Sequence, residues 1–371
     1  MNWRGKLLTF CKVTGLPVLE PFVRLAAGED VKEQMVGIAK FVLFPALAVL
    51  LFIGLWSSAA KTIVSDSAQL PSPTATYNAG IELFQMHADQ RQADRDVKRE
   101  KLTEAVQSLA MARGFDALAS KETGDKKLAF EAAALKNRKK AVLAANFTPS
   151  SAPTFVDQIL NSLVTVAFGF LIATAIAIPI GVMCGMSPWF NAAMTPFIQV
   201  FKPVSPLAWL PIAAVVIIWA YSGTDPADAL FSKAFLTSAA TVSLCSLWPT
   251  LVNTTFGVAS VNQDYLNVAR VLKLSWSQQL YKIILPASLP LMFAGLRISL
   301  GVGWMVLIAA DMLAQNPGLG KFVWDTYQNG SSVSYARITF SVIVIGAIGL
   351  VFDRIMICLR NLVSFGDTAP A

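Results

Sequence analysis

Residues 158–201 contain no Asp, Glu, Lys or Arg, and that absence limits the possible folds more than any motif in the chain. It supplies enough apolar sequence for one bilayer crossing, a turn at residues 185–191 and the start of a second crossing. Further uncharged runs cover 41–60, 203–224, 234–263, 283–296 with 298–310, and 338–352. With 55% hydrophobic and 14% charged residues, the chain is too apolar for a soluble domain of its length. A hydrocarbon core of about 30 Å takes about 20 helical residues. The runs therefore predict an all-α polytopic membrane protein with six transmembrane helices, near 38–60, 157–186, 191–221, 233–259, 287–313 and 337–360.

The first run begins too late and is too long for a cleaved signal peptide, and Lys61 follows it directly; it is expected to be a retained anchor. Cys11, Cys184, Cys245 and Cys358 are scattered and form no CxxC pair, so neither a disulfide framework nor a metal site is indicated. Basic residues set the orientation. Arg4, Lys6, Lys12, Arg24 and Lys32 precede the first span, Arg270, Lys273 and Lys282 lie in the 262–286 loop, and Arg354 and Arg360 end the last span. In a six-span chain all three segments share one side, which the positive-inside rule makes the cytoplasm; Lys321 and Arg337 fall opposite. The net charge of +7 then speaks of topology and a lipid surface, not of nucleic acid.

Four segments follow: 1–64, an N-terminal cytoplasmic stretch with the first span; 65–154, a hydrophilic insert on the periplasmic side; 155–361, a five-helix core; and 362–371, a tail. The insert is bounded by Pro71 and Pro73 and by Pro149 and Pro153, which read as linkers. Leu83, Met86, Leu102, Val106 and Leu109 predict a long helix ending near Gly114, and Leu128, Leu135, Val142 and Leu143 a second one after Gly124. The same composition also suits a flexible charged spacer. His87, the chain's one histidine, reads as a surface residue.

Polar sequence returns in the loop at 262–286. Tyr265, Ala269 and Leu272 recur at helical spacing, with Asp264 in the first turn and Lys273 in the last, a charge order that suits the helix dipole. Ser275 and Gln278 form a capping-box pattern for a second short helix, which Pro286 is expected to end. Two short helices at a membrane surface suit a protein partner; a solvated connector would read the same way.

Nothing in the chain suits catalysis. Gly318-Leu-Gly320-Lys321 lacks the first glycine and the Ser/Thr of a phosphate loop, and acid–base clusters are missing. A permease driven by a separate subunit and a secondary carrier or channel for a small anion both fit. A carrier would more often show half-repeats or mid-membrane acids, whereas the charges within these spans are mainly cationic.

Asp264-Tyr-Leu-Asn-Val-Ala-Arg-Val-Leu-Lys-Leu274, with Lys282-Ile-Ile-Leu-Pro286-Ala-Ser-Leu-Pro290, resembles the cytoplasmic loop of ABC importer permeases. Ala294-Gly-Leu-Arg297-Ile-Ser-Leu-Gly301-Val-Gly-Trp304, Ala309-Ala310-Asp311-Met312 and Phe201-Lys-Pro-Val-Ser-Pro206-Leu-Ala-Trp-Leu-Pro211 are similar to the nitrate, sulfonate and taurine branch. Tyr265-Leu-Asn-Val-Ala-Arg270 is most similar to the nitrate permeases. The resemblance covers about residues 155–360. It implies a type I permease core in the cell inner membrane that carries no cofactor of its own. ATP and Mg would be bound by cytoplasmic ATPase subunits, a second permease copy would complete a homodimer, and a periplasmic binding protein would deliver substrate near 222–232 and 315–336. Nitrate leads, with bicarbonate, cyanate, taurine and other sulfonates as alternatives. It also implies that Asp264, Tyr265, Leu266, Asn267, Val268, Ala269, Arg270 and Lys273 form the ATPase-coupling helix. The family's Glu is Asn267 here, its first Ala is Val268, and its Gly is Lys273. The last exchange is expected to disturb the turn between the two short helices.

Lys202, Arg297 and Trp304 are assigned to the substrate path. Lys202 lies beside Pro203 and Pro206, where the third span must break. Arg297 lies roughly 15 Å along the fifth span, where a charge must face protein or a watery path. An inward positive field would favour a small anion. Interhelical hydrogen bonding or snorkelling is the more ordinary explanation of either cation. Asp311 reads as a structural cap, and Asp353 and Arg354 as interface anchors.

Overall fold

A computed structural model describes residues 18–63, 69–223 and 230–363. Arg4, Lys6, Lys12 and Cys11, most of the 222–232 mouth and nearly all of the tail lie outside the described residues. The elements are α1 (Glu20–Ala26), α2 (Val31–Ile38), α3 (Phe44–Thr62), α4 (Pro73–Ala119), α5 (Asp125–Ala145), α6 (Phe155–Met186), α7 (Pro188–Phe201), α8 (Pro206–Ala220), α9 (Lys233–Ala259), α10 (Gln263–Val271), α11 (Trp276–Gln279), α12 (Leu285–Ala314), α13 (Leu319–Gln328) and α14 (Ser332–Val363). The chain divides into two compact units, Gly80–Asp157 and the remainder.

Among the described residues, five stretches are long and apolar enough to cross a bilayer: Val31–Thr62, Phe155–Met186, Lys233–Ala259, Trp276–Ala314 and Val333–Val363. The pair α7 and α8 makes a sixth if taken as one span. The expected third span is therefore not a continuous helix. Pro203 and Pro206 cannot donate backbone hydrogen bonds, and the two halves meet at 104°. Val31–Thr62 passes through a π turn at Ala39–Leu43, and none of its most apolar stretch is buried within the chain. Its outward leucines and phenylalanines fit lipid or another subunit.

Helix α9 is the axis of the core. Phe235, Ala239, Val242, Leu251 and Val258 are buried on it, together with Thr237, Ser238, Thr241, Ser243, Ser246, Thr250 and Thr254. The hydroxyls of Thr241 and Ser246 donate to the carbonyls of Thr237 (2.8 Å) and Val242 (2.7 Å), which lets polar side chains lie in a dry interface. Small residues bring the neighbours close. A Cβ on Gly181 of α6 would lie 2.7 Å from Thr254 Cβ and 2.8 Å from the Leu251 carbonyl oxygen. One on Gly295 of α12 would lie 2.6 Å from Asn253 Cβ. Without a hydrophobic force between helices in lipid, such close approach supplies the packing energy. Thr250, next to Pro249, gives its N–H and its hydroxyl to Ser299 Oγ on α12, at 3.0 and 2.7 Å.

The unit Gly80–Asp157 contains a helical hairpin of α4 and α5. The long helix begins at Pro73 and does not stop at Gly114, where a Cβ would meet nothing within 4 Å; it ends only at Ala119. The turn comes at Gly124, whose φ of +68° suits glycine. Most of the large apolar residues that predict these two helices point outward: Val106, Leu128, Leu135, Val142 and Leu143 are all exposed. The seam is built from Ala105, Ser108, Ala112 and Ala119 on α4 and Ala134, Ala141 and Ala144 on α5. Phe115 stacks on Phe130 at 6.3 Å, and Lys140 pairs with Glu104 at 3.1 Å across the hairpin. Hydrogen bonds from Lys101, then Lys140, hold the Glu104 carboxyl below the usual range. His87 is not simply a surface residue. Its Nδ1 lies 2.6 Å from Thr154 Oγ1, and that hydroxyl donates to Asp157 Oδ2 at 2.7 Å.

Candidate functional site

The polar loop forms two short helices. Asn262 caps α10, its side chain accepting from the Asp264 N–H at 2.9 Å. Leu266 and Ala269 face inward. Ala269 is fully buried, and Leu266 packs against the cluster of Val182, Val258, Val261 and Ile284 where α6, α9 and the start of the next span meet. Tyr265 and Leu272, which recur at helical spacing with Ala269, are exposed. With Val268 they form a second stripe at i, i+3 and i+7, facing away from the core. Asp264 and Asn267 are also exposed, and Arg270 Nη1 donates to Asn267 Oδ1 at 3.1 Å.

The turn after α10 forms despite Lys273. That residue takes φ +48°, in the left-handed region. The Leu274 N–H reaches the Ala269 carbonyl, and the Lys273 N–H the Arg270 carbonyl, both at 3.0 Å. This is a Schellman closure with lysine in the usual glycine place. A Cβ there costs about 1 kcal/mol, which the buried Ala269 and Leu266 side of α10 offsets. Lys273→Gly is therefore expected to stabilise the isolated turn by about 1 kcal/mol, and Lys273→Val to destabilise it. Amide exchange at Leu274, read by mass spectrometry, should slow in the first variant and quicken in the second.

Ser275 and Gln278 make the expected capping box: the serine side chain accepts from Gln278 N–H, and Gln278 Oε1 accepts from Ser275 N–H at 3.0 Å. Pro286 does not end the helix. A π turn at Leu280–Ile284 widens the spiral just before it, so the proline falls in the first turn of α12, where its missing N–H breaks no ladder. Trp276–Ala314 is consequently one continuous stretch of 39 residues.

The three path residues occupy different settings. Arg297 pairs with Asp353 of α14, so Asp353 is an interhelical partner rather than an interface anchor; a guanidinium at this depth needs a counter-charge. Trp304 is buried, gives its indole N–H to the Ile345 carbonyl at 3.0 Å, and meets Phe352 edge-on at 5.3 Å. Lys202 is exposed at the break between α7 and α8, with no ion pair among the described residues.

Sequence reading missed the aromatic residues around that break. Phe201 packs on Trp209 (5.6 Å, 42°) and on Trp248 of α9 (6.2 Å, 17°). It also underrated the buried end of α12. There Asp311 accepts from Ser162 Oγ of α6 and from Asn316 Nδ2, each at 2.8 Å. Ser162 Oγ in turn accepts the Leu319 N–H at 2.8 Å, which ties α6, α12 and the start of α13 together. An acid beside a glycine pair, Gly318 and Gly320, was the available signal.

Residues 177–363 match the model of the binding-protein-dependent transport system inner membrane component. Over 207 residues the chain is 38% identical to the nitrate import permease protein NrtB of Synechococcus elongatus, covering 56% of this chain and 69% of that one. It is 40% identical over 206 residues to NrtB of Synechocystis sp., covering 56% and 69%. It is also 40% identical over 205 residues to the bicarbonate transport system permease protein CmpB of Synechococcus elongatus, covering 55% and 68%. Members of this family are not enzymes; ATP is hydrolysed on a separate subunit. With its membrane-spanning helices, its two-helix loop and this match, the chain belongs to the binding-protein-dependent transport system inner membrane components, the multi-pass permease subunits of ABC importers.

Proposed function

We propose that the chain carries a small singly charged oxyanion, nitrate first, across the inner membrane, with the 262–286 loop as its drive point. Similarity of 38–40% identity to permeases named for nitrate and for bicarbonate carries the substrate reading. The wording Tyr265-Leu-Asn-Val-Ala-Arg270 favours nitrate between them. Bicarbonate is the second reading, because the CmpB match is equally strong. Lys202 supports an anion: it is a lone cation at a helix break, while the charge of Arg297 is met by Asp353.

Two copies of the chain would each line half of a path, with a binding protein docking at the periplasmic ends of the helices. On the cytoplasmic side, an ATPase cleft would receive the exposed stripe of Tyr265, Val268 and Leu272, with Asp264, Asn267, Arg270 and Lys273 around it and Leu266 and Ala269 fixing its base. Closure of the ATPases on ATP would draw the two loops together and switch the path between its two openings by rigid-body motion.

The test is uptake of labelled nitrate and of labelled bicarbonate in cells with and without the gene, alongside the double variant Arg270→Glu with Lys273→Glu. The variant protein should insert normally and lose uptake at least about 10-fold, since the reversed charges oppose docking of an interface built for cations. Uptake equal to wild type would remove the coupling role from this loop.

A further inference from the structure

At the break between α7 and α8 two tryptophans lack an acceptor. The indole nitrogens of Trp209 and Trp248 are both enclosed, and neither has a hydrogen-bond partner among the described residues. Both rings pack against Phe201, the residue before Lys202. Enclosed hydroxyls such as those of Thr174 and Thr254 also lack partners, but a hydroxyl can rotate or accept. An indole N–H can only donate, in one fixed direction. Elsewhere the chain satisfies this demand: Trp56 donates to the Pro71 carbonyl and Trp304 to the Ile345 carbonyl, each at 3.0 Å. Two unmet indole donors on one aromatic cluster are a cost that a folded protein rarely leaves unanswered.

The backbone N–H groups at the start of α8 are already taken up. Pro206 has no N–H, the Leu207 N–H goes to Ser205 Oγ at 3.3 Å, and the Ala208 and Trp209 N–H groups go to the Ser205 carbonyl. The positive end of the α8 dipole still points at the break. What remains is two fixed N–H groups and an ammonium next in sequence to the ring they share, at the positive end of α8. Broken membrane helices use such ends to hold anions.

We propose that Trp209 and Trp248 are the donor pair of an oxyanion subsite at this break, with Lys202 supplying charge. This rests on the anion reading given above and sharpens it. A planar anion with three oxygens, as nitrate and bicarbonate both are, can accept two N–H bonds and still present an oxygen to an ammonium. Two neutral donors and one cation hold a weakly hydrated monovalent ion without trapping it, as a transported ion requires.

Two measurements on the full-length protein decide the matter. In lipid nanodiscs, with 15N-labelled indoles assigned through Trp209→Phe and Trp248→Phe, sodium nitrate and sodium bicarbonate are titrated against sodium gluconate. Saturable shifts of both resonances with nitrate or bicarbonate are expected, and the anion that shifts them more tightly identifies the cargo. In the assembled importer in proteoliposomes, each Phe variant keeps the ring and loses the N–H. Uptake at low substrate should fall on the order of 10-fold or more, the usual effect of losing one hydrogen bond to a charged group. Indoles that ignore both anions, or Phe variants within about 3-fold of wild type, would show that water fills the break and would overturn the subsite. A wild-type importer that moves neither anion would instead sink the function proposed above, whatever the resonances do.

Discussion

Replacing Asp311 by alanine should lower the stability of the protein by about 3 kcal/mol or more, one of the largest losses any single polar substitution here can cause. The carboxylate is fully buried and accepts from Ser162 and Asn316. Without it, a hydroxyl and an amide lose their acceptor in a region that water does not reach. The loss should also free the start of α13, whose Leu319 N–H depends on Ser162. Gly318→Ala should act in the same direction, because a Cβ there would collide with Asp311 Oδ2 and lie 2.5 Å from Ser162 Oγ. Gly346→Ala, where a Cβ would meet nothing within 4 Å, is the control and should be neutral or slightly stabilising. The monodisperse fraction surviving a temperature series in one detergent reads all three. Wild-type melting in both Asp311→Ala and Gly318→Ala would mean that this network contributes nothing.

Gly181→Leu should be comparably damaging for a different reason. Its obstacles are Thr254 Cβ at 2.7 Å and a backbone carbonyl at 2.8 Å, neither of which can rotate away. Overpacking of this kind costs about 1–3 kcal/mol, and more when the helices must separate. Gly301→Leu, at a position with open space, introduces the same side chain without the collision. Titration with SDS should unfold the Gly181 variant well before wild type and the Gly301 variant close to it. Equal midpoints would mean that α6 and α9 are not held by close approach.

The spans were legible because their signal is a long sum: an uncharged run of about 20 residues leaves few alternatives to a membrane helix. The capping box at Ser275 and Gln278 was legible because it is local. What escaped depended on neighbours distant in sequence. The partner of Arg297 stands 56 positions away, and no spacing rule connects it to Asp353. The helical period alone does not name the inner face of α10, because Tyr265, Ala269 and Leu272 satisfy it as well as Leu266 and Ala269 do; only the cluster beneath the helix chooses between them. In the hairpin, large apolar residues mark the helices but not the seam, because a seam of close-packed small residues looks like mere helix-forming filler. Lys273 was read through an expected glycine, yet two backbone bonds were enough to hold it at positive φ.

One consequence follows from the π turn at Leu280–Ile284. Because Pro286 leaves the spiral unbroken, Trp276–Ala314 is a single beam about 58 Å long at 1.5 Å per residue. Its near end carries the capped loop, its middle carries Arg297, and its far end carries Asp311. A torque applied at the capped tip would therefore be carried toward the opposite leaflet as in a crankshaft, with Pro290 inside α12 as a place on the way where the ladder lacks a bond. The bond pair at Asp311 is the bearing in which that shaft would have to turn.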